Sequence, residues 1–352
     1  MRSAFAAALA LLAACQPIDS GVVVRTATPT PSAAASSPAS ATAAVAPSVN
    51  TGPVPPLPQI KEFPVGAGQG PHDVAPAVDG GVWYTAQRTG ELGYLDPKTG
   101  ATRMTKLGNG SAPHGVIVGP NGDPWVTDGG MNAIVRVDAK TNDVTRFPLG
   151  GPNVNLNTAT FDKNGTLWFT GQSGYYGYLK DGVVKVMQAP RGAGPYGIAT
   201  CANGAVFYAS LAGSHIANVD IETARATPLE LPTQGQGARR VWCDSLSNVW
   251  ISEWNAGQVG VLQTSGGPRG RSEWRLPGSN PMAYAVYVDD QDIVWLTDWG
   301  ANAIVRFDPK TETFTSLPHS APNAYVRQLL GRPGEVWGAM SGQDKLLLVR
   351  TR

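Results

Sequence analysis

The 352-residue chain carries a formal net charge of +1, with 27 Lys and Arg against 26 Asp and Glu. Without a clustered cationic stripe it cannot neutralise a phosphate backbone, which excludes nucleic acid as a partner. Its 42 Gly and 29 Pro imply many turns and few long helices, in a length that suits one large domain or two ordinary ones.

In chain order, Arg2 opens a short apolar run over residues 4–14 that is too short to span a bilayer. It ends in Leu12-Ala13-Ala14-Cys15, which matches the bacterial lipobox, against the plainer alternative of a signal peptide with an incidental cysteine. Residues 1–15 are therefore expected to be a lipoprotein signal peptide, with Cys15 lipidated and holding the protein at a membrane surface. Contact with the membrane is expected through that anchor only. Gln16 follows where an inner-membrane lipoprotein carries Asp, so the periplasmic face of the outer membrane is the expected location in a Gram-negative cell. Residues 16–58 are Ala, Ser, Thr, Pro and Val with hardly a charge; such a segment buries no core and is expected to be a disordered tether.

From residue 59 to 352 one unit repeats. It runs from Pro-aromatic/His-Gly-Val/Ile through a Gly turn and a Trp-aromatic-Thr strand, then a loop, an Asp-Pro-Lys-Thr turn and a last strand. Trp83, Trp125, Trp168, Phe207, Trp250, Trp295 and Trp337 anchor seven units at spacings of 42, 43, 39, 43, 45 and 42 residues. A period of about forty with four short strands is a propeller blade. The predicted fold is all-β: a seven-bladed β-propeller of four-stranded blades, expected to be monomeric. The last unit has only three strands, and Gln59-Ile60-Lys61-Glu62-Phe63-Pro64 resembles the missing fourth, so an N-terminal strand should complete the last blade and close the ring. Cys201 and Cys243 fall at nearly the same place in successive units. Two separate buried thiols are the favoured reading and a disulfide the permitted one.

Eleven residues before each anchor lie His72, His114, Asn157, Tyr196, Arg239 and Tyr284; in the last unit, one residue shorter, the position is Arg327. All are polar or hydrogen-bonding where core strands carry Val, Ile or Leu. These side chains should converge at one mouth of the central channel, the default place for a ligand. Asn157, Tyr196, Arg239, Tyr284 and Arg327 are the candidate substrate-binding residues. Arg239, Arg240 and Arg327 imply a small-molecule or peptide ligand with an anionic group. A second tier follows the anchors: Gln87, Asp128, Gln172, Ser210, Glu253 and Asp298.

Pro113-His114-Gly115-Val116, Trp168-Phe169-Thr170, Glu253-Trp254 and Asp298-Trp299-Gly300-Ala301-Asn302-Ala303-Ile304 resemble the repeat of the streptogramin B (virginiamycin B) lyase family over residues 59–352. The resemblance implies Mg2+-assisted elimination that opens a cyclic depsipeptide at its ester, with histidines at the inner strands of the last two blades. This chain has Tyr284 and Arg327 there, and Met340-Ser341 in place of a carboxylate. His72 and His114 instead start adjacent units, with Asp128 in the second, an arrangement similar to the family's but rotated around the ring. The rotated reading makes His114 the base and His72 its partner, with Asp128 and Asp73 near a possible Mg2+. If the protein is an enzyme it is a lyase acting on an ester, lactone or cyclic peptide, next a metal-dependent lactonase or hydrolase. The alternative is a non-catalytic ligand- or protein-binding propeller of the cell envelope.

Overall fold

A computed structural model of the protein describes residues 58–264 and 270–352. The predicted signal peptide, Cys15 and almost the whole tether lie outside the described residues. The described chain forms seven four-stranded antiparallel sheets, six of them in chain order from the innermost strand outward and the seventh completed on its outer side by the first strand of the described chain. The predicted propeller is the observed fold. Blade 1 runs from the inner strand Pro71–Pro76 through Val82–Ala86 and Glu91–Leu95 to Thr102–Lys106. The inner strands of blades 2 to 7 are Pro113–Val118, Leu156–Phe161, Pro195–Thr200, Ala238–Cys243, Ala283–Val288 and Val326–Arg332.

Blade 7 is completed by Ile60–Pro64, which pairs antiparallel with Lys345–Arg350 in the register Ile60↔Val349 to Pro64↔Lys345. Glu62 meets Lys345 Nζ at 2.7 Å across this seam, and the Asp344 carboxylate accepts the amides of Gly68 and Gly70 at 2.8 and 2.7 Å. The closure covers the edge of Lys345–Arg350 and gives blade 7 the same four strands as the other six.

Burial follows strand order within a blade. In blade 1 the second strand is buried throughout and the fourth is mostly exposed. The anchors Trp83, Trp168, Trp295 and Trp337 are among the largest fully buried side chains. A buried indole N–H needs an acceptor, and an aspartate six residues upstream supplies it three times: Asp162 to Trp168 at 2.8 Å, Asp244 to Trp250 at 3.0 Å and Asp289 to Trp295 at 2.8 Å. The same carboxylates cap their turns, as when Asp162 Oδ1 accepts the amides of Asn164 and Thr166. In blade 7 Glu335 replaces the aspartate at 2.8 Å.

Blade 4 has Phe207, with no N–H to satisfy, and its upstream position is Cys201. That cysteine is disulfide-bonded to Cys243 with the Cα atoms 5.2 Å apart. The expectation of separate thiols is corrected: Cys201 directly follows the inner strand of blade 4 and Cys243 ends that of blade 5, so the repeat itself brings them side by side. The bond staples blade 4 to blade 5.

The Trp-aromatic-Thr motif has a structural task. Every pairing of inner with second strand shifts register near its start: between Pro71 and Val74, Pro113 and Gly115, Leu156 and Ala159, Pro195 and Ile198, Ala238 and Arg240, Ala283 and Val286, and Val326 and Leu329. Such bulges leave an amide unpaired and re-aim side chains. The motif hydroxyl accepts that amide: Thr85 from Asp73 at 2.9 Å, Thr127 from Gly115 at 2.9 Å, Ser252 from Arg240 at 3.1 Å and Thr297 from Ala285 at 3.0 Å. It then donates to the inner strand of the next blade: Thr85 to the His114 carbonyl and Ser252 to the Tyr284 carbonyl, both at 2.8 Å. One hydroxyl thus holds a bulge open and ties it to its neighbour.

Candidate functional site at the channel mouth

The bulges carry all seven ring residues, and they turn two residues per blade toward the axis in most blades. The count from the anchors reaches one residue of each pair; of their neighbours the sequence reading named Asp73 and Arg240 on other grounds and did not single out Thr158 and Gln328. The signal was present: each directly follows a ring residue and is polar in a strand otherwise apolar.

On the blade 1 to 3 side the side chains form a continuous network. His72 Nδ1 lies 2.8 Å from Asp73 Oδ1. Asp73 takes Arg240 in a forked pair, Nη2 to Oδ1 at 3.0 Å and Nη1 to Oδ2 at 3.2 Å. Arg240 Nη1 also donates to Thr158 Oγ1 at 2.9 Å, Thr158 donates to Asn157 Oδ1 at 2.7 Å, and Asn157 Nδ2 donates to His114 Nε2 at 3.2 Å. The two imidazoles pack against each other with centroids 3.8 Å apart and planes tilted by 46°. His72, Asp73, His114, Asn157 and Arg240 are all buried. Burial, then the Arg327, Arg240 and Arg239 charges, hold His72 well below the usual imidazole range; burial and then His72 do the same for His114. Both rings are neutral at pH 7.

The blade 4 to 7 side is built differently. Tyr196 and Tyr284 share a hydrogen bond of 2.8 Å, and Arg239 Nη2 donates to Tyr196 Oη at 2.7 Å. The Arg239 guanidinium lies over the rings of Tyr284, Tyr196 and Trp254 at 3.6, 4.4 and 4.7 Å, the cation–π arrangement. Trp299 stacks on Tyr284 with centroids 4.6 Å apart and 14° between planes. Arg327 lies 5.2 Å over Trp299 and donates from Nε to Ser341 Oγ at 2.8 Å. Burial raises the Tyr284 phenol, but Arg239, Arg327 and Arg240 together outweigh it and pull the phenol down to about 7; its partner Tyr196 is held up by burial. Tyr196 and Tyr284 are buried, whereas Arg239, Trp254, Trp299 and Arg327 are half-buried and Tyr325 is 40 % exposed. Tyr325 packs 4.9 Å from Trp299 and adopts φ 46°, a left-handed conformation costly for a bulky residue. Sequence counting did not single out Tyr325, because it lies in the loop before the inner strand.

Three residues of the second tier, Asp128, Asp298 and Glu253, are engaged away from this ring. Asp128 is a loop clasp: Oδ1 accepts the amides of Ala112 and Met131, each at 3.0 Å, and Oδ2 accepts Ser111 Oγ at 2.5 Å. Asp298 does the same for Met282, Gly300 and Ala301. Glu253 is buried beside Glu273 and accepts Gln258 Nε2 at 2.6 Å; burial, then Glu273, push its carboxyl up to about 8. The carboxylate beside the imidazoles is Asp73, and His72, Asp73 and His114 have donor atoms within 4.8 Å of one another. This set does not fit Mg2+, which prefers oxygen ligands and several waters. Both Asp73 oxygens already meet the Arg240 guanidinium, and two further arginines stand nearby.

The far end of the channel is apolar. A cavity of about 330 Å3 opens there, lined by Ile117, Phe161, Ile198, Trp242 and Leu330, with Thr158 and Gln328 also in its wall.

Comparison with known proteins matches residues 58–344 to the profile of the Virginiamycin B lyase family. Among solved structures, a streptogramin B lyase is 24% identical with a TM-score of 0.77, covering 83% of this chain and 97% of that one. A catalytically inactive variant of virginiamycin B lyase from Staphylococcus aureus, solved with quinupristin, is 21% identical with a TM-score of 0.78, covering 84% and 100%. The extracellular domain of a putative hybrid two-component system from B. thetaiotaomicron is 16% identical with a TM-score of 0.66, covering 84% of this chain and 43% of that one. At these identities the structures speak for the fold alone. No curated protein sequence matches.

Proposed function

The chain belongs to the Virginiamycin B lyase family, and on that premise we propose that it binds an ester, lactone or cyclic-peptide ligand at the channel mouth and opens it by elimination. The observation that carries this reading is the rim of Arg239, Trp254, Trp299, Tyr325 and Arg327, aromatic faces and guanidinium donors set around the mouth. The aromatic faces offer an apolar wall, and the guanidinium N–H groups suit the leaving carboxylate. A base takes the proton from the carbon next to the one bearing the ester oxygen, a C=C bond forms, the alkyl C–O bond breaks and the negative charge collects on the carboxylate oxygens. The neutral imidazole of His114 is the base, with His72 packed against it at a tilt and oriented by Asp73. No step runs through a metal ion.

A second reading has its own support. His72 and His114 are only 2% and 7% exposed, a burial that suits a binding module using the rim without chemistry.

We also propose that the protein is exported and anchored through Cys15. The short apolar run ending in Leu12-Ala13-Ala14-Cys15 supports this reading.

The test is turnover of quinupristin, other cyclic depsipeptides and lactones by the purified protein, followed by mass spectrometry. Elimination leaves the mass unchanged and alters the fragmentation, whereas hydrolysis adds one water. Ring opening lost in His114→Ala supports the lyase. Saturable binding without turnover, unaffected by His114→Ala, selects the binding module.

A further inference from the structure

Around the channel axis, charge does not balance among carboxylates and guanidinium groups alone. Arg239, Arg240 and Arg327 face it from two inner strands, and the carboxylate paired with them is Asp73, which takes Arg240. Arg239 and Arg327 have no carboxylate partner among the described residues. Arg239 is bonded to Tyr196 and rests on Tyr284, with its Nε unpartnered and buried; Arg327 uses its Nε on Ser341. Half-withdrawn from water, these cations favour an anion beside them, and the group there able to supply one is the phenol pair.

We propose that Arg239 and Arg327 form a binding site for an organic carboxylate with an apolar body, and that without ligand the Tyr284 phenolate is their counter-ion, so that the carboxylate enters together with a proton taken from solvent. The exchange is balanced: one anion enters, the phenolate oxygen gains one proton, and the net charge of the site stays the same. Aromatic faces at Trp254, Trp299 and Tyr325 favour an apolar acid over inorganic phosphate.

The surroundings of Tyr284 agree with this. The charged and titratable groups packed against it are Tyr196 from blade 4, Arg239 and Arg240 from blade 5 and Arg327 from blade 7. Asp298, on the neighbouring strand, spends Oδ1 on loop amides. The three guanidinium charges outweigh burial and favour the ionised phenol, pulling its titration down to about 7. The proposal rests on the reading that the mouth is the ligand site, but it does not require that the ligand be cleaved.

The test is a titration with cyclohexanecarboxylate, which does not absorb in the tyrosinate band, with acetate and inorganic phosphate as parallel probes. Above neutral pH, binding is expected to remove one tyrosinate signal near 295 nm and take up about one proton per site in weak buffer. Affinity is expected to fall about tenfold per pH unit once the phenol is ionised. Tyr284→Phe should abolish the spectral change and proton uptake and make binding tighter and independent of pH, an outcome that a misfolded variant cannot produce. Arg327→Gln should weaken binding at least tenfold. Binding without proton uptake overturns the exchange, binding indifferent to Arg327→Gln and Arg239→Gln overturns the site, and phosphate binding as tightly as cyclohexanecarboxylate overturns the ligand class. If the exchange holds but the carboxylate does not compete with quinupristin, it is the ester-ligand reading that fails.

Discussion

In blades 1 to 3 the ring residues His72, His114 and Asn157 bond to one another and to Asp73, Thr158 and Arg240 until the channel is filled. In blades 5 to 7 Arg239, Tyr284 and Arg327 occupy the same repeat position on the same bulge, yet they lean on aromatic faces, with Arg239 and Arg327 half-buried at the mouth. The backbone is not what separates the two sides. Planar amide and imidazole groups can donate and accept, so a few of them satisfy each other within the channel. Guanidinium groups only donate, and three of them beside one carboxylate leave an excess of cation that looks outward for a partner. A repeat can therefore place a sealed plug and a receptive rim side by side by changing one or two residues per blade.

The plug should be the more costly side to break. Asp73→Ala strands Arg240 as a buried unpaired cation and should cost about 3–5 kcal/mol in a urea unfolding series. The double variant Asp73→Leu/Arg240→Met should recover most of that, since two apolar groups replace the pair; a double variant as unstable as the single one would contradict the assignment.

Within the blade 4 to 7 side lies the Cys201–Cys243 staple, which joins blade 4 to blade 5. Removing it with Cys201→Ala/Cys243→Ala should cost about 2–4 kcal/mol, read as a lower denaturation midpoint that no longer responds to reductant.

The rim should show the opposite balance. Arg327→Gln should change stability by less than about 0.5 kcal/mol while weakening ligand binding about tenfold, or ~1.4 kcal/mol. Calorimetry on wild type and variant separates the two effects, and a variant that loses stability but not affinity would move Arg327 to the plug.

The smallest effect sharpens the comparison through pH. His72 and His114 titrate below the usual imidazole range when folded, and near about 6.5 when unfolded. The unfolded chain therefore binds protons that the folded chain refuses, so stability is complete above about pH 6.5 and falls as the pH drops. His114→Gln should flatten that slope in unfolding midpoints measured from pH 7.5 to 5. An unchanged slope would mean that the plug carries no proton penalty.

Much of this protein follows from its sequence alone. Seven aromatic anchors about forty residues apart determine seven blades, because four short strands and their turns use that much chain. An orphan strand at residues 59–64 determines the closure, because an incomplete blade leaves an open edge. The ring positions were legible for the same reason, since a fixed count from a buried Trp reaches the same bulge in every blade. The partners were not legible. Asp73 meets Arg240 across 167 residues of chain, and a repeat count carries no information about which blades face each other across the axis. Asp128 reads as a metal ligand until its loop folds back and takes both oxygens. The two cysteines read as separate thiols until adjacent inner strands bring their ends together. Local periodicity sets where a side chain starts, and only ring closure sets what it meets, because the contacts across the channel exist only once all seven blades are in place.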